Sequence, residues 1–183
     1  MASIISHAVA ALGIGAAFYR PGMPKGVWAL GVACAIVPDA DVICFHFAVH
    51  YQDVWGHRGF THSLLFAALL AVMITTLGFR NTGSSERRLW CFYFFLTIAS
   101  HGLLDAMTNG GLGVAFFSPF DTARYFLPWR PVLVSPIGVG RFFSPRGLAI
   151  LQSEVVWIWL PSALLAFFAV LLRRNSKNPQ SAK

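Results

Sequence analysis

The chain has 183 residues, of which 56% are hydrophobic and only 11% carry a formal charge. Soluble domains have about 25% charged residues. With a mean hydropathy of +0.62, this composition excludes an ordinary soluble globular protein and predicts a polytopic membrane protein. The 14 basic residues lie largely in connections and in the C-terminal tail, so they fit membrane orientation better than nucleic-acid binding.

Five apolar segments predict an all-α membrane bundle of about five spans. They cover residues 4–19, 27–49, 64–79, 89–107 and 155–172. We expect a single integral membrane domain over residues 1–172, with a metal-site part at about 4–111 and a long interfacial loop over 112–154. The last span, 155–172, is then followed by a basic disordered tail over 173–183.

Local signals refine these segments. The first segment is rich in Ala and Gly, which favours close packing on other helices. Pro38 interrupts the second segment because it cannot donate a backbone hydrogen bond, and the carbonyl groups it frees must be satisfied elsewhere. Gly59 permits a turn, and Thr61 is the predicted N-cap of the third segment.

The predicted topology places most polar groups at one depth. Five spans would leave nine basic residues on the C-terminal side of the membrane and five on the other side, so the C-terminal side is predicted to be cytoplasmic. Seven ionisable groups from four segments then fall near the outer, periplasmic face. These groups are His7, Asp39, Asp41, His57, His62, His101 and Asp105.

Several of these groups predict a metal site. An ionisable side chain within a membrane costs several kcal/mol, yet three carboxylates lie in apolar runs that contain few basic residues. A divalent cation would neutralise them. His101 and Asp105 are four residues apart and share one helical face, whereas the spacing of His57 and His62 suits a turn that enters a helix. Imidazole and carboxylate ligands together favour zinc, with manganese or iron as alternatives.

Three functions are compatible with this pattern. A hydrolase would use the metal to activate water and to polarise a phosphoryl or carbonyl oxygen. A transporter or sensor would bind the ion without hydrolysis, and a transporter would place its site near the midplane of the membrane. In a structural protein the polar groups would simply pair with one another. Because these groups lie toward one face, we favour the hydrolase.

Three motifs carry a family resemblance. The motifs PDAD, HRGFTHS and SHGLLD follow an N-terminal histidine in this order and resemble the YdjM family of bacterial membrane-bound, metal-dependent hydrolases. The resemblance covers about residues 7–111, and HRGFTHS is its most specific part. The family is distantly similar to zinc-dependent phospholipase C and to fungal single-strand nucleases, which are helical proteins that cleave phosphate esters with clustered metals.

The resemblance assigns the ligands by position. His7 resembles the early ligand histidine, and His62 resembles the mid-chain ligand. His101 and Asp105 resemble the HxxxD pair, and His57 belongs to the set through its motif. An aspartate of the PDAD motif resembles the ligand that also handles the attacking water.

Further roles follow from the same motifs. Asp39 and Asp41 are expected to position or deprotonate the water, and the Arg58 guanidinium is expected to bind a substrate phosphate. Weaker candidates for orienting ligands or substrate are Thr61, Ser63 and Asn109. Glu154 lacks the histidine partner of an HxxxE motif, so we expect one or two ions rather than three. The expected partners are the lipid bilayer and a lipid or other phosphate-ester substrate, without nucleic acid. His46 and His50 are predicted to be interfacial.

Overall fold

Helices form most of the described chain, which comprises residues 1–136 and 144–177 of this computed structural model. The α-helices are α1 (Ile4–Phe18), α2 (Lys25–Ile36), α3 (Leu64–Gly78), α4 (Ser84–Ala106), α5 (Pro145–Glu154) and α6 (Leu160–Lys177). Two 3₁₀ segments, Val37–Phe47 and Phe60–His62, and a π-helical turn, Val155–Trp159, complete the helical elements. Within these ranges the β-structure is limited to two isolated bridges. The predicted all-α fold is therefore confirmed.

Three helical stretches are long and apolar enough to cross a membrane. They are Lys25–Phe47, Ser84–Ala106 and Pro145–Ser176. The other two apolar helices, α1 and α3, have 15 residues each. At 1.5 Å per residue each is about 22 Å long, which is shorter than the hydrocarbon core of roughly 30 Å. The structure thus supports multiple membrane spans. Three helical stretches meet the length and composition of a span, and α1 and α3 are apolar but shorter.

The last helical stretch differs from its predicted bounds. It begins at Pro145 rather than at residue 155, because proline suits the first turn of a helix and Ser144 Oγ accepts a hydrogen bond from Gly147 N at 3.2 Å. It continues through the π-helical turn to Lys177. The first five residues of the predicted tail are therefore helical, and residues 178–183 lie outside the described residues.

The start of α3 is also shifted from the prediction. Ser63, not Thr61, is the N-cap, and its hydroxyl oxygen accepts a hydrogen bond from Phe66 N at 3.1 Å. Thr61 lies within the 3₁₀ turn, where its hydroxyl instead donates to Asp41 Oδ2 at 2.7 Å. The prediction that Thr61 caps α3 is wrong, because the backbone adopts the extended cap conformation two residues later.

Helix α1 packs against α2, α4 and α6, and α3 packs against α4. The largest apolar core lies between α2, α3 and α4. Its buried members are Val27, Cys34, Ala67, Ala71, Trp90, Tyr93, Phe94 and Ile98. Gly13 brings α1 close to α6, because a Cβ atom at Gly13 would lie 2.9 Å from Ser162 Cβ. The close packing predicted from the small residues of α1 is confirmed at this position.

Candidate metal centre

Four ligand-type side chains meet where three elements converge. Asp39 comes from the longer 3₁₀ segment, His62 from the 3₁₀ turn, and His101 and Asp105 from the last turns of α4. Each offers one ligand atom, and these atoms all lie within 4.8 Å of one another. No member is more than 5% exposed. We refer to these four residues as the inner cluster.

Distances within the inner cluster match the spacing of ligands around a small metal ion. His101 Nε2 lies 3.3 Å from Asp39 Oδ1 and 3.0 Å from His62 Nε2. His62 Nε2 lies 3.7 Å from both Asp39 Oδ1 and Asp105 Oδ2. Four ligands at about 2.0–2.1 Å from a tetrahedral zinc ion are about 3.3 Å apart. The residues present therefore fit a tetrahedral divalent ion.

Polar contacts at the Nδ1 atoms of His62 and His101 fix the orientation of both imidazole rings. His101 Nδ1 donates to the Ala35 carbonyl oxygen at 2.6 Å, so Nδ1 carries the proton in the neutral ring. His62 Nδ1 lies 3.2 Å from Asp41 Oδ2 and 3.1 Å from Thr61 Oγ1. With both Nδ1 atoms protonated in neutral rings, the two Nε2 lone pairs face each other across 3.0 Å, and either a proton on His62 Nε2 or a bound cation satisfies them. Such outer hydrogen bonds are typical of metal-binding histidines.

The Ala35 carbonyl lies beside the change from α2 to a 3₁₀ segment, where its oxygen is the 3₁₀ acceptor for the backbone N–H of residue 38. Pro38 has no N–H, and the His101 ring donates to this oxygen. The contact agrees with the prediction that carbonyls near Pro38 need another partner.

The inner cluster carries more negative than positive charge. Asp105 Oδ1 accepts from Ala2 N at 2.7 Å, and Arg58 Nε lies 3.0 Å from Asp105 Oδ2, although at an angle too bent for a hydrogen bond. Neither oxygen of Asp39 has a hydrogen-bond partner among the described residues. The buried guanidinium of Arg58 and the Met1 ammonium therefore offset two of three nearby carboxylates, and the remaining charge favours a bound cation.

The pKa of His62 also reflects the negative charge of the neighbouring carboxylates. Burial by itself lowers the pKa of this imidazole, but the nearby carboxylates of Asp39 and Asp41 outweigh burial and raise the pKa to about 9. The carboxylates thus stabilise positive charge at His62, and a divalent ion would compete with that proton.

A second group overlaps the first through His62. It comprises Asp41, His57 and His62. Asp41 Oδ1 lies 2.7 Å from His57 Nδ1, while Oδ2 accepts from the Thr61 hydroxyl and from Arg58 N at 3.2 Å. Because both oxygens of Asp41 are occupied, it is placed to orient the two imidazoles. His57 Nε2 is buried, and nothing in the described chain hydrogen-bonds to it.

His7 lies against the inner cluster. Its ring stacks on His101 with centroids 3.7 Å apart, and its Nε2 is 3.5 Å from Asp105 Oδ1. Both ring nitrogens are buried without a hydrogen-bond partner in residues 1–136 and 144–177. The structure thus brings all seven sequence-predicted ligands into one buried region, and their binding of metal stays a prediction.

Arg58 has a conformation that ties it to the protein. Its φ of 63° is unusual for a residue with a side chain, and the residue is fully buried. Nη1 donates to Gly110 O at 2.9 Å and Nη2 to Thr108 Oγ1 at 3.0 Å, while Nε faces Asp105. All three nitrogens therefore face protein oxygens. The role of Arg58 in phosphate binding stays a prediction. Its ion pair with Asp105 holds that carboxylate in position.

The weaker candidates for orienting ligands or substrate also have structural partners. Ser63 caps α3, and Asn109 Oδ1 accepts from Val134 N at 3.0 Å. Their roles in substrate binding remain untested. His50 lies outside both groups, where its Nδ1 is 3.6 Å from Asp53 Oδ2 in an exposed pair. His46 is exposed as well.

The sequence analysis did not identify Gly102 as part of the site. A Cβ atom at this position would lie 2.8 Å from the His62 carbonyl oxygen. The missing side chain therefore allows the 3₁₀ turn to contact α4 between His101 and Asp105. A glycine inside a helix costs about 1 kcal/mol relative to alanine, so a glycine within the HxxxD motif indicates that close packing requires it. This was the signal available in the sequence.

Glu154 was noted in the sequence only because it lacks a histidine partner. In the structure it is fully buried and accepts hydrogen bonds at the start of α1, from Ser3 N and Ser3 Oγ at 2.5 Å each and from Ser6 Oγ at 2.8 Å. A carboxylate stabilises a helix N-terminus. Glu154 therefore anchors the turn that precedes His7.

Comparison with known proteins agrees with this description. The family model described as YdjM inner membrane protein matches residues 1–176. The chain belongs to this family. It is also similar to Inner membrane protein YbcI of Escherichia coli (strain K12), with 39% identity over 165 residues that cover 90% of this chain and 95% of that protein. No solved structure matches the chain. The resemblance found in the sequence and the inner-membrane location are thus confirmed.

Proposed function

We propose that this YdjM-family protein is a membrane-bound, metal-dependent hydrolase that cleaves a phosphate ester of a lipid or lipid-linked substrate. The observation that carries the proposal is the inner cluster, in which two oriented imidazoles face two carboxylates within ligand distance of one another. Zinc suits this donor set best, with manganese or iron as alternatives. The second group, Asp41 with His57 and His62, could hold one further ion if it displaced the hydrogen bonds that Asp41 now accepts.

The residues that would hold the ion are Asp39, His62, His101 and Asp105, with His7 beside them. A divalent ion at such a site polarises a phosphoryl oxygen and makes water more acidic at neutral pH. Arg58 keeps Asp105 in place, and Asp41 keeps the Nε2 atom of His62 directed toward the centre.

Two side chains are suited to proton transfer. Asp39 has two oxygens without hydrogen bonds from the described residues, so it can accept the proton of the water whose oxygen attacks phosphorus. His57, held by Asp41 at Nδ1, can donate a proton from Nε2, when both ring nitrogens carry one, to the alcohol that leaves as the original P–O bond breaks, and the proton that Asp39 accepted from water replaces it. The net reaction is the addition of one water across the ester bond.

A lipid substrate is supported by the position of the site. Asp105 lies in the last turn of a candidate span, and His7 lies near the start of α1. Exposed aromatics on the nearby connections, such as Trp55 and Phe120, are typical of a membrane interface. The charge distribution between loops would place this end of the bundle on the periplasmic side.

The proposal is tested with purified full-length protein in detergent. Wild-type protein is expected to contain stoichiometric metal and to hydrolyse bis(p-nitrophenyl) phosphate or phosphatidylglycerol in mixed micelles. His62→Ala should lose both properties. His50→Ala is the matched control, because His50 is exposed and belongs to a separate His–Asp pair. Metal-free wild-type protein, or a His62→Ala variant with unchanged metal content, would contradict the proposal.

Metal binding without hydrolysis is the second candidate. The specific observation that favours it is burial, since no residue of the inner cluster is more than 5% exposed. A transporter would move zinc across proteoliposomes, and a sensor would bind zinc without flux. Either result, combined with no turnover of phosphate esters by the metal-loaded protein, would select this alternative over the hydrolase.

A further inference from the structure

Two apolar grooves lie at the end of the bundle away from the metal centre. The first has a volume of about 340 Å³ and lies between α1, α2 and α6, where Ala16, Trp28 and Val170 form part of its wall. The second also has a volume of about 340 Å³, but only residues of α6 line it, so it is a shallow groove on the outer face of that helix beside Phe167. Val170 and Arg174 line both grooves, so the grooves meet at one cation.

Two adjacent arginines at this junction have different roles. Arg173 Nη1 donates to the Ala16 carbonyl oxygen at 2.6 Å, and its guanidinium lies 5.4 Å from the centre of the Tyr19 ring. It thereby satisfies a carbonyl in the last turn of α1. Arg174 is exposed and makes no hydrogen bond or ion pair with any other described residue. The fold therefore uses Arg173 and leaves the charge of Arg174 available to a ligand.

We propose that these grooves bind one anionic phospholipid, with its phosphate at Arg174 and one acyl chain in each groove. A groove between three helices and a shallow groove along α6, which share Arg174, can accommodate the two acyl chains of one lipid. None of the side chains that line the described grooves is acidic, so a zwitterionic headgroup gains no partner for its ammonium. Basic residues between helices at the cytoplasmic surface are suited to anionic headgroups.

This lipid would be a structural ligand and not the substrate of the proposed hydrolase. His7 and Ala16 lie nine residues apart on α1, which corresponds to about 13 Å along the helix axis. The groove at Ala16 also lies beyond the apolar core, near the opposite end of α1 from the metal centre. The inference therefore stands independently of the proposed function.

The test is native mass spectrometry of the full-length protein, delipidated in detergent and mixed with equal amounts of dioleoyl phosphatidylglycerol and dioleoyl phosphatidylcholine. The wild type should retain one phosphatidylglycerol in preference to phosphatidylcholine. Arg174→Gln should lower that preference about fivefold, the effect of removing one cation near a headgroup. Arg88→Gln is the control, because Arg88 is exposed, lies outside both grooves and belongs to the same predicted side of the membrane.

A second variant tests the grooves without changing charge. Ala166→Trp should fill the groove along α6 and reduce retention of both lipids, while thermal unfolding in detergent checks that the variant is folded. Equal retention of the two lipids by the wild type would overturn the proposal. An Arg174→Gln variant with wild-type preference would overturn it, and so would an equal loss in Arg88→Gln. A protein dimer that forms without lipid and dissociates on Ala166→Trp would assign the grooves to a second copy instead.

Discussion

The two halves of α4 are held in the bundle by different physics. In the first half, Trp90, Tyr93 and Phe94 are buried among apolar residues of α2 and α3. In the second half, His101 and Asp105 are equally buried, but they lie among charged and polar groups. Apolar burial is non-directional and roughly proportional to area. A buried polar group must instead find a partner or a cation, or its desolvation is uncompensated.

This difference separates residues of α4 that matter mainly for stability from residues that are also candidate metal ligands. An apolar residue of the first half contributes mainly to stability, because similar side chains can replace it at a modest cost. A residue of the second half is expected to affect both stability and the proposed ion binding, because it contacts neighbours that are themselves charged. Substitutions in the first half should therefore change only the free energy of unfolding. Substitutions in the second half should change both the free energy of unfolding and the metal content.

The largest effect is expected for Asp105→Asn. The substitution removes one member of the inner cluster and leaves the fully buried Arg58 without its carboxylate. Breaking a buried ion pair in this way costs about 3–5 kcal/mol. We expect loss of metal by elemental analysis together with a lower unfolding free energy in detergent.

The double variant Arg58→Met with Asp105→Asn separates these two consequences. It should recover part of the unfolding free energy, because no unpaired charge remains, and it should still lack metal. Full metal content in Asp105→Asn would remove Asp105 from the ligand set.

Phe94→Ala is the matching change in the apolar half. Phe94 is fully buried, and loss of its ring should cost about 3–5 kcal/mol of unfolding free energy. The folded fraction should keep wild-type metal stoichiometry, since the cavity lies away from the cluster. If Phe94→Ala lowers the metal content per folded molecule as much as Asp105→Asn does, the two halves of α4 do not have separate effects on stability and metal content.

Gly102→Ala should have an intermediate effect. The added methyl group would lie 2.8 Å from the His62 carbonyl oxygen, so the 3₁₀ turn must move away from α4. Overpacking of this kind costs about 1–3 kcal/mol, and we expect weaker zinc binding by titration because His62 is displaced. Gly26→Ala is the control, because nothing lies within 4 Å of its added Cβ atom. Equal zinc affinities in the two variants would exclude a positioning role for Gly102.

The smallest effect is expected for Glu154→Gln. The amide keeps one acceptor oxygen for the first turn of α1 but loses the negative charge. We expect a loss of about 1 kcal/mol in unfolding free energy, the difference between charged and neutral hydrogen bonds. Zinc affinity should fall by less than about tenfold, because the effect reaches the site only indirectly, through the backbone of Ala2 and the ring of His7. The exposed Glu86 provides the control variant Glu86→Gln, and a larger loss in that control would refute the anchoring role.

Much of the fold was predictable because hydropathy and length constrain membrane helices strongly. The bounds of α1 and α3 agree with the predicted segments to within one residue. The errors occurred where backbone geometry decides. Ser63 replaces Thr61 as the cap of α3, and Pro145 begins the last helical stretch ten residues earlier than expected. Capping depends on the φ and ψ of one residue, which composition does not constrain.

The chain by itself determined the membrane class, the family and the set of side chains that meet at the candidate metal centre. Those properties depend on hydrophobic content and on short motifs, which are local in sequence. Only the tertiary structure showed how the contacts of these residues differ. The oxygens of Asp39 have no hydrogen-bond partner among the described residues, those of Asp41 are occupied, and Arg58 faces inward. These distinctions depend on hydrogen bonds between residues far apart in the chain, and no spacing rule encodes their directions.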